Sequence, residues 1–294
     1  MHQVRWFFLG LGVLLLAACM PKEAAPPLPP PKPAKVAVVL GAGASKGFAH
    51  VGVLKVLDAQ KIPIHLIVGT SAGSFVGSLF AYGYDAFQLQ TMALALLKDD
   101  VVDLTVPDNG FIRGEKLENF INKMVRQTPL ERLGIPFRAV ATNLQTGEEI
   151  VFATGNTGRA VRASCSIPGV FQPVRIGDKS YVDGGVASPV AVDAARKAGA
   201  DVVIAVDISA GVAVAAPKGI LDTILQSIDI MYAKIAAAQL RNADVVIRPQ
   251  VSHIGSSDFE KRNEAILEGE KATTRALPQI RQILDQLRRE GRLP

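Results

Sequence analysis

The stretch GTSAGS, residues 69–74, contains the pattern Gly-x-Ser-x-Gly with Ser71 at its centre. A serine on a sharp turn between a strand and a helix exposes its hydroxyl, and Gly69 and Gly73 leave the space around it free. Such a hydroxyl can attack a carbonyl carbon and form an acyl-enzyme. The pattern is short enough to arise by chance, so other residues must decide whether Ser71 is a nucleophile.

A second glycine-rich segment, GAGASKG at 41–47, directly follows the apolar run 36–40. Glycines there let backbone N–H groups approach a negative charge, aided by the N-terminus of the next helix. A dinucleotide site uses the same physics, but Lys46 occupies the place of the third glycine of G-x-G-x-x-G, and Gly69 stands where ribose binding needs an acidic residue. We therefore expect these amides to stabilise an oxyanion, at about 3 to 4 kcal/mol per donor.

Both motifs belong to an alternation of apolar strands and helices. The runs 36–40 and 64–68 predict fully buried strands, and residues 45–60 between them have helical spacing. Fully apolar strands alternating with helices are typical of a parallel sheet that is covered on both faces. In a right-handed β-α-β unit the two following loops meet at the carboxyl edge of the sheet, so Ser71 should lie beside the glycine loop.

Later segments extend the same architecture. Residues 137–155 predict two strands joined by a hairpin at QTG, 200–206 and 243–249 predict two more buried strands, and 219–240 and 259–291 predict helices. We expect one α/β domain that contains all of these elements.

A nucleophilic serine needs a base, and the sequence offers candidates of two kinds. His50 and His65 lie in predicted regular elements, where a structural role is favoured, whereas His253 comes late enough to complete a Ser-Asp-His order. Among carboxylates, Asp183 projects from the turn in YVDGGVASP, and Asp207 ends an apolar strand. An aspartate, with an ordinary pKa of about 3.9, needs a dry, confined pocket to act as a base near neutral pH.

Composition excludes some partners and cofactors. The net charge of +5 comes without a long basic run or interleaved aromatic residues, so we expect no nucleic-acid partner. No group of His, Cys and carboxylate residues has metal-ligand spacing, so we expect no metal or other cofactor. The segment 85–106 is apolar enough either to cover an acyl channel or to pack as an ordinary helix.

The first residues resemble an export signal. The uncharged run 6–18 follows Arg5, is too short to span a membrane and has the length of a signal-peptide core. Residues LAAC at 16–19 resemble the lipobox of bacterial lipoproteins, which implies cleavage after residue 18 and acylation of Cys19. An ordinary signal peptide with an incidental cysteine is the alternative.

The resemblance to a lipoprotein implies a membrane anchor that does not span the bilayer. Residues 19–35 are rich in proline and predict an extended linker between this anchor and the domain at 36–294. Met20 follows Cys19 in place of the aspartate of an inner-membrane retention signal. We therefore expect a lipid-anchored protein of the cell envelope, at the bacterial outer membrane.

Six ordered segments closely resemble motifs of the patatin-like phospholipases, in particular the bacterial branch related to neuropathy target esterase. They extend over most of residues 36–270 and read GAGASKGFAHVGVL, GTSAGS, VATNLQTGE, ASCSIPGVFQPV, YVDGG and SSDFEKRNEAILEGE. The resemblance implies a three-layer α/β/α fold with a mostly parallel central sheet. It also implies hydrolysis of acyl esters of phospholipids or lysophospholipids by a Ser-Asp dyad without histidine.

On this resemblance Ser71 is the nucleophile and Asp183 the general base and acid, followed by the motif residue Gly184. The implied oxyanion loop consists of Gly41, Ala42 and Gly43, with Lys46 at its basic position. Ala42 departs from the all-glycine form but retains its N–H. Two other functions stay open: a histidine-dependent esterase that uses His253, and a lipoprotein that binds lipid without catalysis.

Overall fold

The computed structural model describes residues 31–106, 108–209, 217 and 219–294. Residues Pro33–Pro294 form one compact unit, which contains all the elements below. The predicted signal peptide, Cys19 and most of the predicted linker lie outside the described residues.

A mixed sheet of eight strands forms the centre of this unit. The strands are β1 (Val36–Leu40), β2 (Leu66–Thr70), β3 (Phe137–Asn143), β4 (Glu149–Phe152), β5 (Val174–Ile176), β6 (Lys179–Asp183), β7 (Val202–Val206) and β8 (Val245–Ile247). Their order is β5-β6-β3-β2-β1-β7-β8, and β4 pairs with β3. The ladder from β3 through β2, β1 and β7 to β8 is parallel, whereas β4, β5 and β6 pair antiparallel.

Helices connect these strands. They are α1 (Phe48–Ala59), α2 (Ala72–Tyr82), α3 (Ala86–Ala95), α4 (Lys98–Val101), α5 (Glu115–Met124), α6 (Thr157–Ser164), α7 (Val192–Lys197), α8 (Ile220–Gln239) and α9 (Arg262–Arg289). Short 3₁₀ turns occur at Ala44–Gly47, Leu130–Arg132, Gly184–Val186 and Leu240–Asn242. Within the described ranges, no helix has both the length and the apolar character needed to cross a bilayer.

The central strand β1 shows why the fold needs helices on both faces of the sheet. Its alternate residues Val36, Val38 and Leu40 join a large core with residues of α1, α2 and α9. Ala37 and Val39 point to the other face and join a second core with residues of α7 and the end of α8. All five side chains are fully buried, as the uninterrupted apolar run predicts.

Among the differences from the sequence prediction, two concern strands β2 and β5. Strand β2 begins and ends two residues later than the predicted 64–68, because Gly69 pairs with both neighbouring strands and Thr70 pairs with β3. As a result the strand ends directly before Ser71. Strand β5 was not predicted, since it has only three residues and depends on its pairing with β6.

Candidate active site

Ser71 occupies a strained turn between β2 and α2. Its backbone has φ +53° and ψ −124°, a region that residues other than glycine rarely adopt. The flanking glycines permit the tight packing of this elbow. A Cβ on Gly69 would lie 2.5 Å from the Cα of Ser74, and a Cβ on Gly73 would lie 2.0 Å from the carbonyl oxygen of Leu40. Such strain is concentrated at functional sites, where the surrounding structure holds it.

A serine that our sequence reasoning did not single out secures the elbow. The backbone N–H of Ser71 donates to Oγ of Ser164 at 2.9 Å, and that hydroxyl donates to the carbonyl of Val140 at 2.5 Å. On the other side, the Ser74 hydroxyl donates to the Ser71 carbonyl at 2.7 Å. Ser164 lies within ASCSIPGVFQPV, one of the six motifs that resemble the family. That position was the one sign in the sequence that Ser164 belongs to the site.

Asp183 ends strand β6, and its side chain is fully buried. Its Oδ1 accepts hydrogen bonds from the Gly185 N–H at 2.7 Å and from the Tyr232 hydroxyl at 3.0 Å. Its Oδ2 receives no hydrogen bond of good geometry from the described residues. Burial raises the pKa of this carboxyl to about 6, and the nearby Ser71 hydroxyl opposes that rise most strongly among its polar neighbours.

The glycine loop is fastened to the sheet by two of its predicted oxyanion donors. The Gly41 N–H donates to the Val206 carbonyl at 3.0 Å, and the Ala42 N–H donates to the Pro189 carbonyl at 2.8 Å. These two amides are therefore occupied, contrary to our expectation. Within the described part of the chain the next two amides, of Gly43 and Ala44, donate no hydrogen bond.

Lys46 also differs from its expected role. Its side chain is 1% exposed, and its ammonium donates to Oδ2 of Asp229 on α8 at 2.8 Å. The Ser256 hydroxyl donates to the same oxygen at 3.0 Å. The ammonium of Lys46 is therefore paired with the Asp229 carboxylate and does not bind an oxyanion. A buried ammonium needs such a carboxylate partner.

His50 is hydrogen-bonded to the glycine loop. It is fully buried, and its Nε2 lies 2.8 Å from the Gly41 carbonyl oxygen. Burial lowers the pKa of the imidazole to about 4, so the ring is neutral near pH 7 and its Nε2–H donates to that carbonyl. The expected structural role of His50 is consistent with this contact.

The other candidate bases make contacts elsewhere. His65 accepts a hydrogen bond from the Val36 N–H through Nδ1 at 3.1 Å. His253 pairs with Glu264 at 2.6 Å on a half-exposed surface. Asp207 accepts bonds from the N–H and hydroxyl of Ser209. None of these three side chains has a hydrogen bond to Ser71 or Asp183 within the described residues.

An apolar cavity of about 230 Å³ opens at Ser71. Its walls come from α2, α3, α5, the loop after α6 and the start of α8, and Phe75 and Phe120 stack there with ring centroids 5.7 Å apart. The segment 85–106, which we expected to cover a channel or to pack, contributes Leu89, Met92 and Val101 to the wall. A cavity so poor in polar groups suits a hydrocarbon chain.

The chain is similar in sequence to known proteins. Lysophospholipase NTE1 of Debaryomyces hansenii is 35% identical over 179 residues, which are 59% of this chain and 12% of that protein. An NTE family protein of Mycobacterium bovis is 29% identical over 269 residues, which are 82% of this chain and 46% of that protein. This chain thus spans less than half the length of these curated relatives.

The fold has a counterpart among solved structures. The crystal structure of VipD from Legionella pneumophila matches with a TM-score of 0.56 at 13% identity, over 84% of this chain and 67% of that one. This match confirms the predicted α/β fold with its mostly parallel sheet. A family model described as patatin-like phospholipase matches residues 38–196, more than half of the chain. The chain therefore belongs to the patatin-like phospholipase family.

Proposed function

We propose that this protein is a serine hydrolase that cleaves carboxylic ester bonds of phospholipids or lysophospholipids, with Ser71 as nucleophile and Asp183 as base. One juxtaposition carries the proposal: a serine on a strained elbow lies between a buried carboxyl group and an apolar cavity. The name of the Debaryomyces hansenii relative, a lysophospholipase, supports the same class of substrate.

The first half of the reaction forms an acyl-enzyme. Asp183 takes the proton of the Ser71 hydroxyl through Oδ2 while the serine oxygen attacks the ester carbonyl carbon. The carbonyl oxygen becomes an oxyanion, and it accepts hydrogen bonds from the amides of Gly43 and Ala44, which have no acceptor among the described residues. When the ester C–O bond breaks, Asp183 returns the proton to the leaving alcohol.

The second half releases the acid. Asp183 takes a proton from water as the water oxygen attacks the acyl carbon, and it returns that proton to Ser71 as the acyl-serine bond breaks. A carboxyl with a pKa near 6 suits this role, since it is mostly ionised at neutral pH but more basic than an exposed aspartate. The apolar cavity supports binding of the acyl chain, with the headgroup outside it.

A fluorophosphonate probe tests the nucleophile directly. Purified protein without residues 1–19 is incubated with the probe and, separately, with lysophosphatidylcholine and a diacyl phospholipid. We expect labelling and release of fatty acid, both lost in Ser71→Ala. Loss of hydrolysis in Asp183→Asn, with activity kept in His253→Ala, supports the dyad.

Two outcomes favour the alternatives. A histidine-dependent esterase requires His253→Ala to abolish hydrolysis while Asp183→Asn retains much of it. If the protein is a lipoprotein that binds lipid without catalysis, we expect lipid binding but neither Ser71-dependent labelling nor ester hydrolysis. Either result contradicts the proposed mechanism.

We also propose that acylation of Cys19 anchors the protein to the bacterial outer membrane, next to its lipid substrate. The support is the lipobox-like sequence at 16–19, which lies outside the described residues. Cells fed an alkyne fatty acid should label the wild-type protein but not Cys19→Ser, which should appear in the soluble fraction. Equal labelling of both proteins contradicts the anchor.

A further inference from the structure

Tyr232 of helix α8 contacts the proposed base from the side opposite its free oxygen. Its side chain is almost completely buried, and its hydroxyl donates to Oδ1 of Asp183 at 3.0 Å. The Gly185 N–H donates to the same oxygen at 2.7 Å. Oδ1 is thus occupied by two donors, whereas Oδ2 stays available.

Packing holds the phenol ring in place. A Cβ on Gly185 would lie 2.3 Å from Cζ of Tyr232, so the ring rests directly on the backbone that follows Asp183. The ring also belongs to a buried cluster with Ala42 of the glycine loop and Ile228 of α8. A ring packed on these neighbours has little freedom, so the position of its hydroxyl is set before substrate binds.

We propose that Tyr232 is a positioning residue, which fixes the Asp183 carboxylate so that Oδ2 is the oxygen that accepts the Ser71 proton. This inference rests on the proposed function and adds a residue to it. A carboxylate with one oxygen held by two donors cannot rotate freely, and both donors stabilise its ionised form. The same hydrogen bond opposes the effect of burial on the carboxyl.

Helix α8 also reaches the glycine loop. Asp229 lies three residues before Tyr232, on the same side of the helix, and binds the Lys46 ammonium at 2.8 Å. One helix therefore contacts both the proposed base and the loop with the proposed oxyanion donors. This placement explains how the two halves of the site keep their relative position.

The groups that face this pair make the tyrosine a stable donor. The Ser71 hydroxyl and the Cys165 thiol face Asp183, and the charge of Asp229, which is paired with Lys46, acts on Tyr232. Burial and the neighbouring carboxylates raise the pKa of the Tyr232 hydroxyl well above its ordinary value. The hydroxyl therefore stays protonated near neutral pH, where Asp183 is mostly ionised.

Tyr232→Phe removes the donor and keeps the ring. We expect kcat to fall about ten-fold or more, with little change in KM. The reason is that Asp183 loses one of the two hydrogen bonds that fix its carboxylate, and hydrogen bonds to ionised groups are stronger than those between neutral groups. The acidic limb of the kcat/KM profile should move to higher pH, since the lost bond favoured ionised Asp183. Tyr84→Phe is the matched control: that hydroxyl donates to the Met124 carbonyl at 2.8 Å and does not line the cavity.

A second variant keeps the test decisive if Tyr232→Phe fails to fold. Fluorotyrosine incorporated at position 232 keeps the size and the hydroxyl but is a stronger donor, so the acidic limb should move to lower pH. An unmoved limb in the variants that fold, with normal kcat, overturns the role of Tyr232. Failure of the proposed function is distinguishable, because wild-type protein then shows no Ser71-dependent labelling or hydrolysis.

Discussion

Two buried aspartates end strands of the same sheet, and only one is equipped to act as a base. Asp183 is the last residue of β6; one of its oxygens accepts two hydrogen bonds, and the other accepts none of good geometry from the described residues. Asp207 follows β7, where Ser209 donates twice to one oxygen and Arg248 lies 3.5 Å from the other. Burial is common to both, so the free oxygen beside a serine is what distinguishes a candidate base from a structural carboxylate.

The largest effect should come from the same substitution at these two positions. Asp183→Asn keeps the shape but removes the base, so kcat should fall by roughly 10⁴-fold or more. Asp207→Asn should stay within about three-fold of wild type, because its contacts stabilise its own turn. Steady-state hydrolysis of a lysophospholipid measures both. Comparable losses in the two variants would show that the different contacts of the two carboxylates do not determine which one is the base.

The sequence predicted part of the difference between the two aspartates. The alternation of strands and helices and the elbow at Ser71 follow from local patterns, which depend on neighbouring residues. From the residues alone Asp183 and Asp207 stayed rivals, because each ends a strand. The glycine turn after Asp183 favoured it over Asp207, and the resemblance to the family selected it. The contacts that separate the two come from distant parts of the chain.

The parts that were missed are long-range. Tyr232 lies 49 residues from Asp183 in the chain and carries no motif. The amides of Gly41 and Ala42 donate to carbonyls far along the chain. No local pattern could therefore show that, among the described residues, the amides of Gly43 and Ala44 have no acceptor. The two-residue shift of β2 likewise reflects pairing with two neighbouring strands.

The buried Lys46 carries a charge that, unlike the carboxylate of Asp183, is paired with an opposite charge, that of Asp229. Lys46→Met leaves Asp229 largely buried without its partner, and such a loss costs about 3 to 5 kcal/mol of unfolding free energy. Chemical denaturation measures this loss. The double variant with Asp229→Leu should recover much of it, since no unpaired charge remains. Equal stability of the single and double variants would contradict a coupled pair.

The two aspartates should also differ in the sign of their effect on stability. The folded-state pKa of Asp183 is raised from 3.8 to about 6, so its ionisation destabilises the fold as pH rises through this window. Asp183→Asn should therefore raise the unfolding free energy at pH 7, by roughly 2 to 3 kcal/mol. Asp207→Asn weakens bonds that are satisfied and should lower it by about 1 kcal/mol. Urea unfolding at pH 7 and pH 4 measures both, and the gain for Asp183→Asn should disappear at the lower pH.

The smallest effect is the pH dependence of the wild-type reaction. Because the base must be ionised, kcat/KM should fall about ten-fold for each unit of pH below the pKa of about 6. Asp207→Asn should leave this limb in place, since its carboxyl does not take part in the reaction. A limb at the ordinary pKa of an exposed aspartate, near 4, would mean that burial of Asp183 does not set its basicity. A limb that moves in Asp207→Asn would show that Asp207 takes part in the proton transfer. The different contacts of the two carboxylates would then no longer account for the choice of base.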